Sequence, residues 1–118
     1  MQVTRPPRSR CPISCALELA GDKWTLLVAR DLFRGRKTYG ELLDSPEGIP
    51  TNILADRLRR MEASGLIESS PYQERPVRYA YALTEKGRAL EGVLRAVAQW
   101  GRQCVPGARV MPEFKRKG

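Results

Sequence analysis

No histidine occurs anywhere in the 118 residues. That removes Ser-His and Cys-His nucleophilic pairs and every histidine-based zinc site. Cysteine is scarce: Cys11, Cys15 and Cys104 are the only three, an odd number that argues against a structural disulfide framework. Cys11 and Cys15 are not spaced as C-x-x-C, and a fourth ligand is lacking, so no metal site is expected. The sequence has no P-loop and no G-x-G-x-x-G run, and no cofactor is expected. The remaining acids and lysines form no acid–base constellation, which makes an enzyme the least favoured class. Long apolar runs are also missing. The stretch from Trp24 to Ala29 is far too short to span a bilayer. The basic start MQVTRPPRSR has no apolar region behind it, so a secretory signal is not expected and a cytoplasmic, non-membrane protein is.

What the chain does have is positive charge. Lys and Arg number 21 against 13 acids, for a net charge of +8 and a pI of about 9.9. In one domain of this size such a balance points to a polyanionic partner: nucleic acid, ribosome or a membrane surface. Aromatics make up only 7%, and Tyr39, Tyr79 and Tyr81 read as core-directed. Stacking platforms for single-stranded RNA are therefore lacking.

Residues 1–10 are Pro/Arg-rich and read as a basic flexible arm, and residues 105–118 as a loose basic tail. Between them, residues 11–104 carry alternating helix and turn signals. Ile13, Ala16, Leu17 and Ala20 recur at helical spacing as far as Gly21. Asp22 is placed to cap a second helix from Lys23 to about Phe33, with Trp24, Leu27, Val28 and Leu32 on one side. Thr38-Tyr39 reads as a minimal strand, followed by a short helix over Glu41-Leu42-Leu43 and a turn over residues 44–48. A helix from about Thr51 to Ser64 follows, closed by Gly65 in the left-handed conformation. Ile67 to Gln73 and Arg78 to Leu83 read as two strands joined by Glu74-Arg75-Pro76-Val77. One last helix, capped by Thr84, runs from Glu85 to about Cys104. The fold class is α+β, mostly α: two short helices meeting through a tight turn, then a two-stranded hairpin. That is the order of a winged helix-turn-helix with terminal helices free to pair with a second copy.

At about 100° per residue, the helix from Thr51 divides into two faces. Leu54, Leu58 and Met61 fall together and pack inward. Asn52, Asp56, Arg59 and Ala63 fall opposite, with Arg60 flanking and Thr51 in the first turn. Short Thr and Asn side chains at a helix start can reach base edges, and Asn can bond adenine in a bidentate way. The arginines suit phosphates or guanine. Asp56 sits badly there, since a carboxylate repels phosphate. Arg59 or Arg60 can neutralise it one turn on, or it can accept from a cytosine amino group. Arg75 at the hairpin tip and Arg78 just after it are candidates for a narrow minor groove. Lys37 and Thr38, ahead of the first helix of the pair, complete the DNA-contact candidates.

On "CPISCALELAGDKWTLLVARDL", "TYGELL", "GIPTNILADRLRRMEASGLIE" and "YALTEKGRAL", the chain resembles the HxlR-type branch of winged-helix bacterial transcription regulators, relatives of the MarR group. The resemblance runs from about Cys11 to Cys104. It implies a homodimer on a roughly palindromic double-stranded DNA operator, and the leading reading of the chain is a transcription regulator that acts as a repressor. The first and last helices would form the seam, and the Thr51 helix would lie in the major groove. Here Pro50-Thr51 stands where many relatives have Ser-Pro. A stripe of Leu90, Val93, Leu94, Val97, Gly101 and Cys104 agrees with a seam on the last helix, joined by Ile13 and Leu17 of the first. Packing within the chain is the alternative for that stripe. In several HxlR-type regulators an N-terminal Cys before Pro senses electrophiles or oxidants, which makes Cys11 the redox-sensing candidate. A thiol near a helix N-terminus and close to Arg8 and Arg10 also has the setting for a lowered pKa. Cys15 and Cys104 read as small buried hydrophobes. The rival reading of the whole is a winged-helix protein–protein interaction module with a basic surface. It differs in tolerating substitution at Thr51 and Asn52. The operator, the target genes and any effector are not legible.

Overall fold

The computed structural model describes residues 9–109. The first eight residues of the expected arm, Arg8 among them, and residues 110–118 of the expected tail lie outside the described part. Helix α1 spans Pro12–Ala20, α2 Lys23–Phe33, α3 Tyr39–Leu43 and α4 Thr51–Ala63. Strands β1 (Ile67–Glu74) and β2 (Val77–Leu83) form an antiparallel hairpin, followed by α5 (Glu85–Arg88) and α6 (Glu91–Cys104).

The helix boundaries follow from caps. The Asp22 carboxylate accepts from the Trp24 and Thr25 amides, both at 3.1 Å, and from the Thr25 hydroxyl at 2.6 Å. These bonds satisfy amides that the first turn of α2 leaves unpaired. Thr38 caps α3 in a reciprocal box, its hydroxyl accepting from the Glu41 amide while Glu41 accepts from the Thr38 amide. This box accounts for the difference from the expected Thr38-Tyr39 strand. Only Thr38 makes a bridge, to Ala80, and Tyr39 is already helical. Gly65, with φ of 82°, turns the chain out of α4 as its lack of a side chain allows.

The core is assembled from one face each of α2, α3 and α4 and from the base of the hairpin. Val28 and Ala29 of α2, Leu42 of α3, and Leu54, Leu58 and Met61 of α4 are buried, together with Ile49, Leu66, Ile67 and Leu83. Tyr39, Tyr81, Leu90 and Leu94 pack against this cluster partly buried. Tyr79 does not, being largely exposed on β2, contrary to the core-directed reading of its sequence position.

The single terminal helix expected from Glu85 is two helices. The Leu90 amide bonds the Gly87 carbonyl, three residues back, at 3.0 Å, which tightens the chain between α5 and α6. Buried Gly87 lies against the Leu66 carbonyl, closer than a Cβ would permit. The first turn is thus held on the hairpin base while α6 departs. Among the described residues, no helix is long and apolar enough to cross a membrane.

Candidate nucleic-acid interface

Helix α4 is held at three places. Its apolar face sits in the core. At its start, the Tyr39 hydroxyl donates to the Thr51 carbonyl at 2.9 Å, tying α3 to α4. The turn before it is clamped to α2: the Arg30 guanidinium donates to both Glu47 carboxylate oxygens at 2.7 and 2.8 Å, to Ser45 at 3.2 Å and to buried Asp31. The Arg30 hydrogen bonds outweigh partial burial and pull the Glu47 carboxyl down to about 2. An arginine bridging two segments in this bidentate way fixes their relative orientation as well as their charge. The angle at which α4 leaves the domain is therefore set by α2 and α3.

The outer face of α4 carries Thr51 and Asn52, both exposed at its first turn. Pro50 occupies the cap position and supplies no side-chain acceptor, so no Ser or Thr side chain competes for the first amides. Arg59 and Arg60 stand exposed further along. Asp56, the residue that fitted least well, is not a bare carboxylate. It pairs with Arg59 at 3.3 Å and Arg60 at 3.0 Å, as the helical spacing allowed. It also pairs with Arg57 at 2.6 Å, which the spacing did not reveal.

Arg57 was missed by the sequence reading. Its Nε donates to Asp22 at 2.7 Å, joining α4 to the cap of α2 across 35 residues of chain. The hydrogen bond that Arg57 donates to Asp22 dominates and raises the Arg57 pKa. Burial pushes the Asp22 carboxyl up, but bonds from Thr25 and Arg57 outweigh it and leave it below its ordinary value. The one signal for Arg57 was its place on the helical wheel, at the edge of the Leu54–Leu58–Met61 face rather than opposite it.

On the hairpin, Arg75 and Arg78 are exposed at and beside the tip. The Gln73 side-chain amide donates to the Arg75 and Pro76 carbonyls, at 3.4 and 3.1 Å, and braces the turn. Lys37 is exposed, and its carbonyl accepts from the Tyr81 amide at 2.8 Å, so it rides on the edge of the hairpin. Thr38 is half-buried and its hydroxyl is engaged in the α3 cap.

The terminal helices differ from the rest, since neither α1 nor α6 has a buried residue. The structure divides the expected α6 stripe. Leu90 and Leu94 turn toward the chain's own core, whereas Val93 and Val97 are exposed and Gly101 is half-buried. Trp100, not singled out from sequence, continues the exposed apolar line one turn beyond Val97. On α1, Ile13 and Leu17 are exposed. Cys11 is exposed at the cap of α1, where the Ser14 and then the Ile13 amide lower its pKa. Cys15 is half-buried and Cys104 exposed, so Cys104 is not the buried hydrophobe its place on the stripe implied.

Comparison with known proteins agrees with this architecture. Residues 19–108 match the model of the HxlR-like helix-turn-helix family. The chain is 42% identical over 91 residues to the HTH-type transcriptional regulator sll1512 of Synechocystis, covering 77% of this chain and 67% of that one. It has the same identity to an HTH-type regulator of Mycobacterium tuberculosis, of which it spans 57%. The HTH-type regulator YodB of Bacillus subtilis is 36% identical over 107 residues, 89% of this chain and 96% of YodB. The solved reduced form of YodB superposes with a TM-score of 0.69 at 34% identity, covering 85% of this chain and all of that one. The redox regulator HypR in its reduced form gives a TM-score of 0.72 at 29% identity, over 78% and 91% of the two chains. With the short helix pair, the hairpin after it and this breadth of similarity, the chain belongs to the HxlR-like helix-turn-helix family of transcriptional regulators.

Proposed function

We propose that the chain is a homodimeric repressor that binds a two-fold symmetric DNA operator and responds to thiol oxidation. The observation that carries the DNA reading is the outer face of α4. Thr51, Asn52, Arg59 and Arg60 are exposed on a helix whose other face, start and preceding turn are all fixed to the domain. A rigid helix presenting short polar groups at its start and cations along its length has the properties major-groove recognition requires. Arg75 and Arg78 on the hairpin, with Lys37 at its edge, supply cations for backbone and minor-groove contacts. The reading is of a binding protein and not of a catalyst.

The homodimer rests on the terminal helices. Ile13 is 71% exposed and Trp100 62%, and Leu17, Val93 and Val97 extend the apolar surface on the same two helices. Apolar area of this kind on helices without buried residues is offset by burial against a second copy. The thiol response rests on Cys11, exposed at the α1 cap with a lowered pKa and hence more thiolate, on the helix that would carry the seam. The likeness to a redox regulator supports the same assignment.

Selection from a pool of random duplex DNA tests this reading. It is expected to recover a pseudo-palindrome with half-sites about 10 base pairs apart. A pool that shows no enrichment contradicts it. Peroxide-treated protein is expected to release the selected duplex, and Cys11→Ser protein to retain it. Equal release by both removes Cys11 from the account.

A further inference from the structure

The cluster around Asp56 holds three arginines on one carboxylate, and they are not equivalent. Arg59 and Arg60 reach it from exposed positions, with side chains 69% and 68% accessible. Arg57 is only 18% accessible and is held at both ends, by Asp56 and by Asp22. Asp22 is itself immobilised, since its two oxygens also cap the first turn of α2. Exposed ion pairs of the first kind are weak and easily exchanged for another anion. A partly buried guanidinium shared by two carboxylates, one of them pinned by three further hydrogen bonds, is not.

DNA makes this difference matter. A phosphate competes with Asp56 for Arg59 and Arg60. Once both arginines leave, Arg57 alone compensates the carboxylate, and without it Asp56 would stand bare beside a polyanion. We propose that Arg57 is a positioning residue for DNA binding: anchored on Asp22, it keeps Asp56 compensated so that Arg59 and Arg60 are both released to the phosphates. This rests on the DNA-binding reading above. Without Arg57, Asp56 must retain one of the two exposed arginines, and the complex loses a phosphate contact although neither Arg59 nor Arg60 has changed. Arg57 itself touches no DNA. Its charge is spent between two helices, and its effect is transmitted through Asp56.

The test is the salt dependence of binding to a mixed-sequence DNA duplex, followed by fluorescence anisotropy. Each phosphate neutralised contributes about 0.9 to the slope of log affinity against log salt. Arg57→Met is expected to make the slope shallower by about 0.9 per bound copy of the chain. Adding Asp56→Asn to Arg57→Met is expected to restore the wild-type slope, because no carboxylate then competes for Arg59 and Arg60. A residue that merely braces α4 against α2 would not be rescued in this way. The same pair of measurements on Arg57→Lys covers the case in which the methionine variant does not fold. A lysine keeps the stem but cannot bridge both carboxylates, so the loss is smaller, with the same sign and the same rescue. An unchanged slope in a folded Arg57 variant, or a slope that Asp56→Asn does not restore, overturns the proposal and leaves the DNA-binding reading intact. Absence of any salt-dependent binding by the wild-type chain overturns both.

Discussion

Single side chains decide how α4 is presented, and Glu47 shows how with the clearest pH signature. Its carboxyl is held at about 2 by Arg30, against an ordinary value near 4.3. A depressed carboxyl contributes stability that is complete above its unfolded value and is lost as pH falls through the folded one. The Arg30–Glu47 clamp should therefore weaken between about pH 4.5 and pH 2, by about 2 kcal/mol after allowance for solvent screening. Denaturant titrations at a series of pH values check this: Glu47→Gln should be less stable than wild type at neutral pH, and the difference should shrink toward pH 2. At the same scale, Asn52, exposed in the first turn of α4, is the side chain to which the proposed function gives base reading. Asn52→Ala is expected to cost about 1–3 kcal/mol on the selected operator and much less on random DNA. Equal losses on the two would remove it from the base-reading set.

Elements were legible wherever a local rule governs them. The Asp22 cap, Gly65 after α4 and the inward face of Leu54, Leu58 and Met61 could be read from spacing alone, because each depends on neighbours within one or two turns. The break between α5 and α6 could not. Glu85 to Cys104 has continuous helical character, and the interruption comes from Gly87 meeting Leu66, more than twenty residues away in the chain. Arg57 and Arg30 were missed for the same reason, since their partners lie 35 and 17 residues distant. Arginine between leucines gives no hint of which acid it will meet. The Gly87 contact has its own consequence. A Cβ there would collide with the Leu66 carbonyl and approach the Leu83 side chain to 2.9 Å. Gly87→Ala is expected to destabilise the domain by about 1–3 kcal/mol and to lower Tm by at least about 5 °C in a thermal melt. An unchanged Tm would mean that α5 is not seated against the hairpin base.

At the scale of the whole molecule, basic charge and exposed apolar helices are two halves of one arrangement. The α4 face and the hairpin present the cations, and α1 and α6 expose apolar surface that, in the proposed dimer, would meet a second copy and set the spacing of two α4 helices at about 34 Å, one turn of DNA. Trp100→Glu places a charge in the middle of the apolar line on α6. Sedimentation should find the wild-type chain dimeric and this variant monomeric at the same concentration, with its far-UV circular dichroism unchanged because Trp100 is outside the core and its melting temperature lowered by the loss of the dimer. A dimeric variant would place the seam elsewhere.

The central claim is that α4 occupies the major groove, and methylation protection tests it most directly, because guanine N7 is reached only from that groove. On the selected duplex, the wild-type protein is predicted to shield N7 of guanines within two half-sites one helical turn apart, with protection reduced at the bases facing residue 52 in the Asn52→Ala protein. Binding that leaves every guanine N7 as reactive as in free DNA would contradict the account.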